Sequence, residues 1–374
     1  MRSVIGRLIS GALAILILGS APAAAADNFT VSDPAELETA LRQAQGGESI
    51  LLMDGNYGDV DFRNLSFTDH VTIASESGKA VFNSLGIKNS SYLRIDGVHV
   101  SSDNNGGPGS KVVEIVEGSH HIEILNSEVN GKVDDVYVGH LGIFTSDAEN
   151  ITIRNNNVHD VKNGIVTFGA KNLVVSGNKI DNIAEDAMKF SGVFDFLVEG
   201  NQSHGLVFPQ PRSHLDFIQF QGVSGNGTIR GNILLVNKVA YIQGIFLDDA
   251  EYTNITIEDN VIYTGMANGI IISEGSGNTV RNNTLLNAPE LVHPVTKIGV
   301  VDGTVVENNI ISLRDGGMDG SNLAVQHRNP NGPYSYDRMF TNARAGLAVT
   351  PADLRPKPSS LAAKMGAFKT LSAD

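Results

Sequence analysis

The 374-residue sequence predicts an all-β chain: a right-handed single-stranded parallel β-helix with an N-terminal capping helix. Three observations predict it. A short unit of the form apolar-x-x-Asn-x-apolar recurs between residues 120 and 312, the strands around it are brief and rich in Val, Ile and Thr, and almost no helical periodicity separates them.

The amino end comes first. Arg2 and Arg7 precede an apolar run from Ile9 to Leu18 and a small-residue stretch from Ala21 to Ala26, so residues 1–26 read as a secretory signal peptide and the expected location is secreted or periplasmic. The apolar run is too short for a bilayer, and no later segment approaches the roughly 20 apolar residues of a membrane helix, so no membrane span is expected. Taking Arg2 and Arg7 from the 27 basic residues leaves 25 against 41 acidic ones, a formal charge of −16. Such a chain repels polyanions, which argues against nucleic acid as a partner and requires cations or local basic groups for any acidic polysaccharide. Cysteine is absent, so disulfides and thiolate metal sites are excluded.

The first turn of a β-helix is an open sheet edge that invites aggregation unless covered. Asp33 as N-cap, Pro34 at the first helical position and Glu36 three residues after the cap begin an amphipathic stretch. Leu37, Ala40, Leu41 and Ala44 share one face and Gly46-Gly47 follows, which predicts a capping helix near 33–45.

The coils occupy 27–312. Their units VSGNKI, VEGNQS, IRGNIL, IEDNVI, VRNNTL and VENNII belong to a column of Asn156, Asn178, Asn201, Asn232, Asn260, Asn283 and Asn309, with Ser127 in the preceding slot. Successive spacings of 29, 22, 23, 31, 28, 23 and 26 residues describe a coil period with variable loops. Strands recurring so often, with no helices to cover them, bury themselves by pairing coil upon coil. Stacked amides at one turn then bond along the ladder and tolerate the turn's unusual backbone, a structural role. Beyond Asn309 the repeat fades, and 313–374 is expected to form a closing coil and tail.

The opening LETALRQAQGGESILLMDGNYGDV, the Asn-marked coils and the closing DLRPKPSS…MGAF together resemble secreted proteins of the pectin-lyase-like β-helix superfamily. The resemblance implies polysaccharide chemistry of the kind found in lyases, polygalacturonases and epimerases, without selecting a subfamily. The sequence lacks the NTD, GDD and GHG set of polygalacturonases, the DPH of alginate epimerases and the RHG of chondroitinase-B-like lyases; AED at 184–186, SHG at 203–205 and HLD at 214–216 are partial echoes.

Candidate site residues follow from a second column. Before each asparagine lies another strand, GIFTS, GIVTF, DAMKF, DFIQF, GIFLD or GIIIS. Aligned on their first residues, they read Gly142, Gly164, Asp186, Asp216, Gly244 and Gly269. Two carboxylates thus replace glycine on adjacent coils, roughly 5 Å apart. Like charges so close raise one pKa or bind a cation between them. The fourth position reads Thr145, Thr167, Lys189, Gln219, Leu247 and Ile272, while Glu185, Arg212, His214 and Asp248 stand nearby.

Asp186, Lys189, Arg212, His214 and Asp216 are therefore candidate catalytic groups. Glu185, Gln219 and Asp248 are candidate substrate contacts, and Asp186, Asp216 and Asp248 candidate Ca²⁺ ligands. Two chemistries fit. In the slightly favoured one, Ca²⁺ offsets a uronate carboxylate and Lys189 or Arg212 removes the C5 proton for β-elimination. In the other, Asp186, Asp216 and Asp248 supply the acid and base of a glycoside hydrolase. A third reading is a non-catalytic glycan-binding or envelope scaffold.

Other residues read as structure. Asp249 and Glu251 match an ordinary turn at Asp147, because DDAEYTNITI aligns with SDAENITI. Phe168, Phe190 and Phe220 read as one aromatic ladder. His120, His121, His140 and His293 lack a matching ligand set. Residues 101–110 read as a flexible excursion, and 208–214 as a loop walling the site.

Overall fold

The computed structural model describes residues 28–102, 109–132, 139–204, 215–236, 242–288, 290 and 295–368. The expected signal peptide, Arg212, His214 and His293 lie outside the described residues. The chain winds through about ten coils. Most give two strands to a 21-stranded sheet and a third to a 13-stranded sheet. Pairing among the described strands is parallel except where Gly317–Asp319 meets Asn322–Val325.

The coil interior is a stack of β-branched and aliphatic side chains. Val113, Ile143, Ile165, Met188, Ile218, Ile245 and Ile270 form one such column, each pairing with the next coil's member, and all are buried. Branched Cβ atoms suit this position because they pack against identical neighbours one strand spacing away.

The expected helix is present as α1 (Pro34–Gln43), burying Leu37, Ala40 and Leu41. Asp33 caps it by accepting the Glu36 N–H at 2.9 Å. Glu36 completes the cap differently from the usual box, its Oε2 accepting the Ser32 N–H at 2.7 Å. Asp33→Ala is expected to lower stability by about 1 kcal/mol, read as a fall in the thermal midpoint.

The asparagine ladder forms. Asn178 N–H and Nδ2 both donate to Asn201 Oδ1, at 3.0 and 2.9 Å, while the same Nδ2 donates to the Ile153 carbonyl at 2.9 Å. The pattern repeats through Asn201, Asn232, Asn260 and Asn283, all fully buried. The strained backbone sits one residue earlier than expected. Asn155, Gly177, Gly200, Gly231, Asp259, Asn282 and Asn308 have φ between 56° and 65°, so the left-handed residue precedes each rung. The ladder also continues past Asn309, whose N–H and Nδ2 both donate to Asn322 Oδ1 at 3.0 Å. Sequence spacing hid this rung because only 13 residues separate the two. In the closing segment, Tyr336 and Phe340 are buried.

Candidate functional site

Pairing places Asp186 and Asp216 on adjacent coils, as expected, but outside the glycine column. Ile165 pairs with Met188 and Met188 with Ile218, so the residues level with Gly142 and Gly164 are Ala187 and Phe217. The physical reason for glycine there is the approach of the next coil: a Cβ on Gly164 would come 2.4 Å from the Ala187 carbonyl oxygen and 2.5 Å from Ile180. On the Asp186 coil the corner before Met188–Ser191 is one residue longer, so Ala187 stands at the glycine level.

The two aspartates instead belong to a polar column at the start of the strands, reading Asn163, Asp186, Asp216, Gln243 and Asn268. Asp216 and Gln243 pair directly. The neighbours are joined by hydrogen bonds: Asn163 Nδ2 donates to Asp186 Oδ2 at 3.5 Å, Asp216 N–H donates to Asp186 Oδ1 at 3.0 Å, and Asn268 Nδ2 donates to Gln243 Oε1. Asn163, Gln243 and Asn268 were not singled out from sequence. Aligning the strands on the buried Ile or Met rather than on the first residue would have found them.

The same correction moves other residues. Lys189 pairs with Val166 and Gln219, not with Thr167. Phe168 leaves the expected ladder, since Phe190 pairs with Thr167 and Phe168 with Ser191. Phe190 and Phe220 remain an internal pair with ring centroids 4.9 Å apart, whereas Phe168 is exposed.

Beside the strand Met188–Ser191 and its neighbours Leu215–Gln221 and Ile242–Glu258 lies a cleft of about 450 Å³, lined by Glu185, Asp186, Lys189, Gln219, Asp248 and Asp249 among others. Asp216 is 0% exposed and does not line it. Asp186 does, although only 4% of it is exposed. Burial and then the Asp216 carboxylate push the Asp186 carboxyl up to about 7, against the opposing pull of Lys189 and the Asp216 N–H. Lys189 Nζ lies 4.0 Å from Asp186 Oδ2. Gln219 Oε1 is buried with no hydrogen-bond partner among the described residues. Glu185 is tied to Lys162 at 3.2 Å at the rim.

The structure therefore brings Glu185, Asp186, Lys189, Gln219 and Asp248 to one cleft and withdraws Asp216 beneath it. Asp249 shares the positive φ of Asp147, 68° against 50°, but lies within the strand Ile242–Glu258 at its register shift, and it also touches the cleft. Ca²⁺ needs six to eight oxygen ligands. Among the described residues no group of three or more carboxylates or imidazoles is arranged to hold a metal ion, and both Asp186 oxygens face protein donors. Of the histidines, His140 is buried against Ser102, with Nε2 3.0 Å from the hydroxyl.

Among the described residues no helix is long and apolar enough to cross a membrane. Solved structures of similar architecture include the Streptococcus pneumoniae surface protein and adhesin PfbA, with TM-score 0.52 and 13% identity over 73% of this chain and 92% of that one. Pectate lyase Pel9A gives TM-score 0.50 and 14% identity over 90% of each chain. A PL6 family polysaccharide lyase from Pseudopedobacter saltans gives 0.50 and 13% over 91% of this chain and 99% of that one. An adhesin and two lyases on one architecture share a fold and leave chemistry to the side chains. No curated protein matches in sequence. The model of the right-handed β-helix region matches residues 83–285, more than half of the sequence, and the chain belongs to that family.

Proposed function

We propose that the chain is an exported polysaccharide-cleaving enzyme whose general acid is Asp186. One observation carries the reading: a buried carboxyl that holds its proton to about pH 7 opens into a cleft. An acid poised near neutrality donates efficiently to a leaving oxygen. Asp216 acts as a positioning residue, raising the Asp186 carboxyl and fixing it through its N–H.

Hydrolysis suits the remaining groups best. Asp186 gives its proton to the glycosidic oxygen as the C–O bond breaks, and Asp248 takes a proton from the water that forms the new bond. Lys189 and Gln219 hold sugar hydroxyls. The retaining pair Asp186/Asp216 is set aside because Asp216 is sealed from the cleft.

The position of Lys189 on the cleft wall favours a second reading, β-elimination of a uronate, in which its amine takes the C5 proton and Asp186 protonates the leaving oxygen. A panel of polysaccharides separates the two. Hydrolysis yields new reducing ends alone; elimination adds the ultraviolet absorbance of an unsaturated product. Lys189→Ala is expected to lower hydrolysis roughly ten- to a hundred-fold, the worth of a charged hydrogen bond, and would abolish elimination. Wild-type protein that releases neither product from any polymer removes the enzyme and leaves a glycan-binding scaffold.

A further inference from the structure

We infer that the substrate is a glycan without acidic groups, that it lies along the coil axis, and that a second cleft on the same wall anchors it toward the amino end. The inference rests on the polysaccharide-cleaving reading and names its substrate class. The second cleft is the larger, about 870 Å³, and is lined by Asp59, Asp61, Ser84, Lys88, Lys111 and Glu114.

One continuous column joins the two clefts. Asp61 pairs with Gly86, Gly86 with Glu114, Glu114 with Phe144, Phe144 with Val166, and Val166 with Lys189. From Glu114 to Lys189 is three coil steps, roughly 14 Å at the usual strand spacing. An extended pyranose chain of a few sugars spans that distance. Gly86 leaves the cleft floor bare, because a Cβ there would lie 2.7 Å from Asp61 Oδ1. Between the clefts stand Phe144, half-buried, and Phe168, 36% exposed, with ring centroids 5.9 Å apart. Lys111 Nζ lies over the Phe144 ring, 4.9 Å from its centroid, so Phe168 is the ring that offers its face to the C–H face of a sugar.

Charge selects the sugar. Both lysines of the second cleft are committed to Glu114: Lys88 Nζ is 3.1 Å from Oε2 and Lys111 Nζ 2.9 Å from Oε1. Burial alone would raise the Glu114 carboxyl, but the two ammonium groups outweigh it and hold it below its ordinary value. Asp59 and Asp61 add further negative charge, and at the first cleft Asp248 and Asp249 face the ammonium of Lys189, while Glu185 is paired with Lys162 and Asp186 keeps its proton to about pH 7. A polymer carrying carboxylates or sulfates would be repelled at both clefts. Sugar hydroxyls, which donate to carboxylates, would not.

The test is affinity electrophoresis of the full chain through gels containing galactomannan, xylan, mixed-linkage glucan, polygalacturonate or alginate. At least one non-acidic polymer is expected to retard the protein and neither acidic one to do so. Glu114→Gln and, independently of the ion pairs, Phe168→Ala are each expected to weaken that retardation about ten-fold, the loss of one good contact. Each is also expected to lower the preference for polymer over short oligosaccharide by a similar factor.

Retardation by an acidic polymer alone, by no polymer, or equally in wild type and both variants overturns the inference. Cleavage is read separately. A wild type that is retarded but releases no product keeps the second cleft and loses the enzyme, whereas one that cleaves while both variants bind as it does keeps the enzyme and loses the cleft.

Discussion

Asp186→Asn is expected to lower polysaccharide cleavage by roughly 10²–10⁴-fold, the usual contribution of a positioned acid, while making the protein more stable above neutral pH. Both effects have one cause. The folded state holds the Asp186 carboxyl at about 7, whereas the ordinary value is 3.8. Between those values the folded chain carries a proton that the unfolded chain has released. Stability therefore falls as pH rises from about 4 to about 7, by on the order of a few kcal/mol, and levels off above that range. Asparagine has no proton to lose, so the variant's unfolding midpoint in urea should vary less with pH and should exceed that of the wild type at pH 8. Wild-type cleavage should decline as pH rises through about 7, when Asp186 becomes ionised. A variant with wild-type turnover would remove Asp186 from catalysis; a wild type whose stability does not fall across this range would remove the raised carboxyl.

The second large effect is expected at the ladder. Asn232 accepts the Asn201 N–H at 2.9 Å and donates through Nδ2 to the Val198 carbonyl at 3.0 Å, all of it buried. Truncation to alanine leaves both backbone groups without a partner and without water. At 1–3 kcal/mol for each orphaned group, Asn232→Ala should cost roughly 3–5 kcal/mol, measured by urea unfolding. Asn226 is the control. It also stacks with asparagines and aspartates on neighbouring coils, but it is exposed and has φ 55°. Glycine tolerates that backbone, so Asn226→Gly should lie within about 0.5 kcal/mol of wild type. Equal losses at the two positions would mean that the buried chain of amides is no more than surface decoration.

The contrast between these residues explains what could be read beforehand. The ladder was legible because its asparagines sit at a fixed offset from buried aliphatic residues and each is held by the same turn. Asp33 and Pro34 announced the cap because capping depends on neighbours in sequence. The carboxylate column was legible only in part. Asp186 and Asp216 stand out as acids, but their level in the stack depends on where each strand begins, and the corner before Met188 delays that start by one residue. A slip of one residue changes which side chains meet. This is why Asp216 was expected beside the substrate and is found beneath it, and why Phe168 was expected over Phe190. The second cleft was invisible because Asp61, Lys88 and Glu114 come from coils upstream of the clear asparagine repeat, where no column could be drawn.

The ladder also has a direction. Every carboxamide oxygen in it serves the backbone of the preceding coil, so each turn is finished by a residue that comes later in the chain. During synthesis the amino end emerges first. A freshly wound turn must then wait, with one main-chain donor unanswered, until its successor arrives to lock it. Winding in that order behaves as a ratchet advancing toward the carboxyl end, and Asn322 is the pawl that engages last.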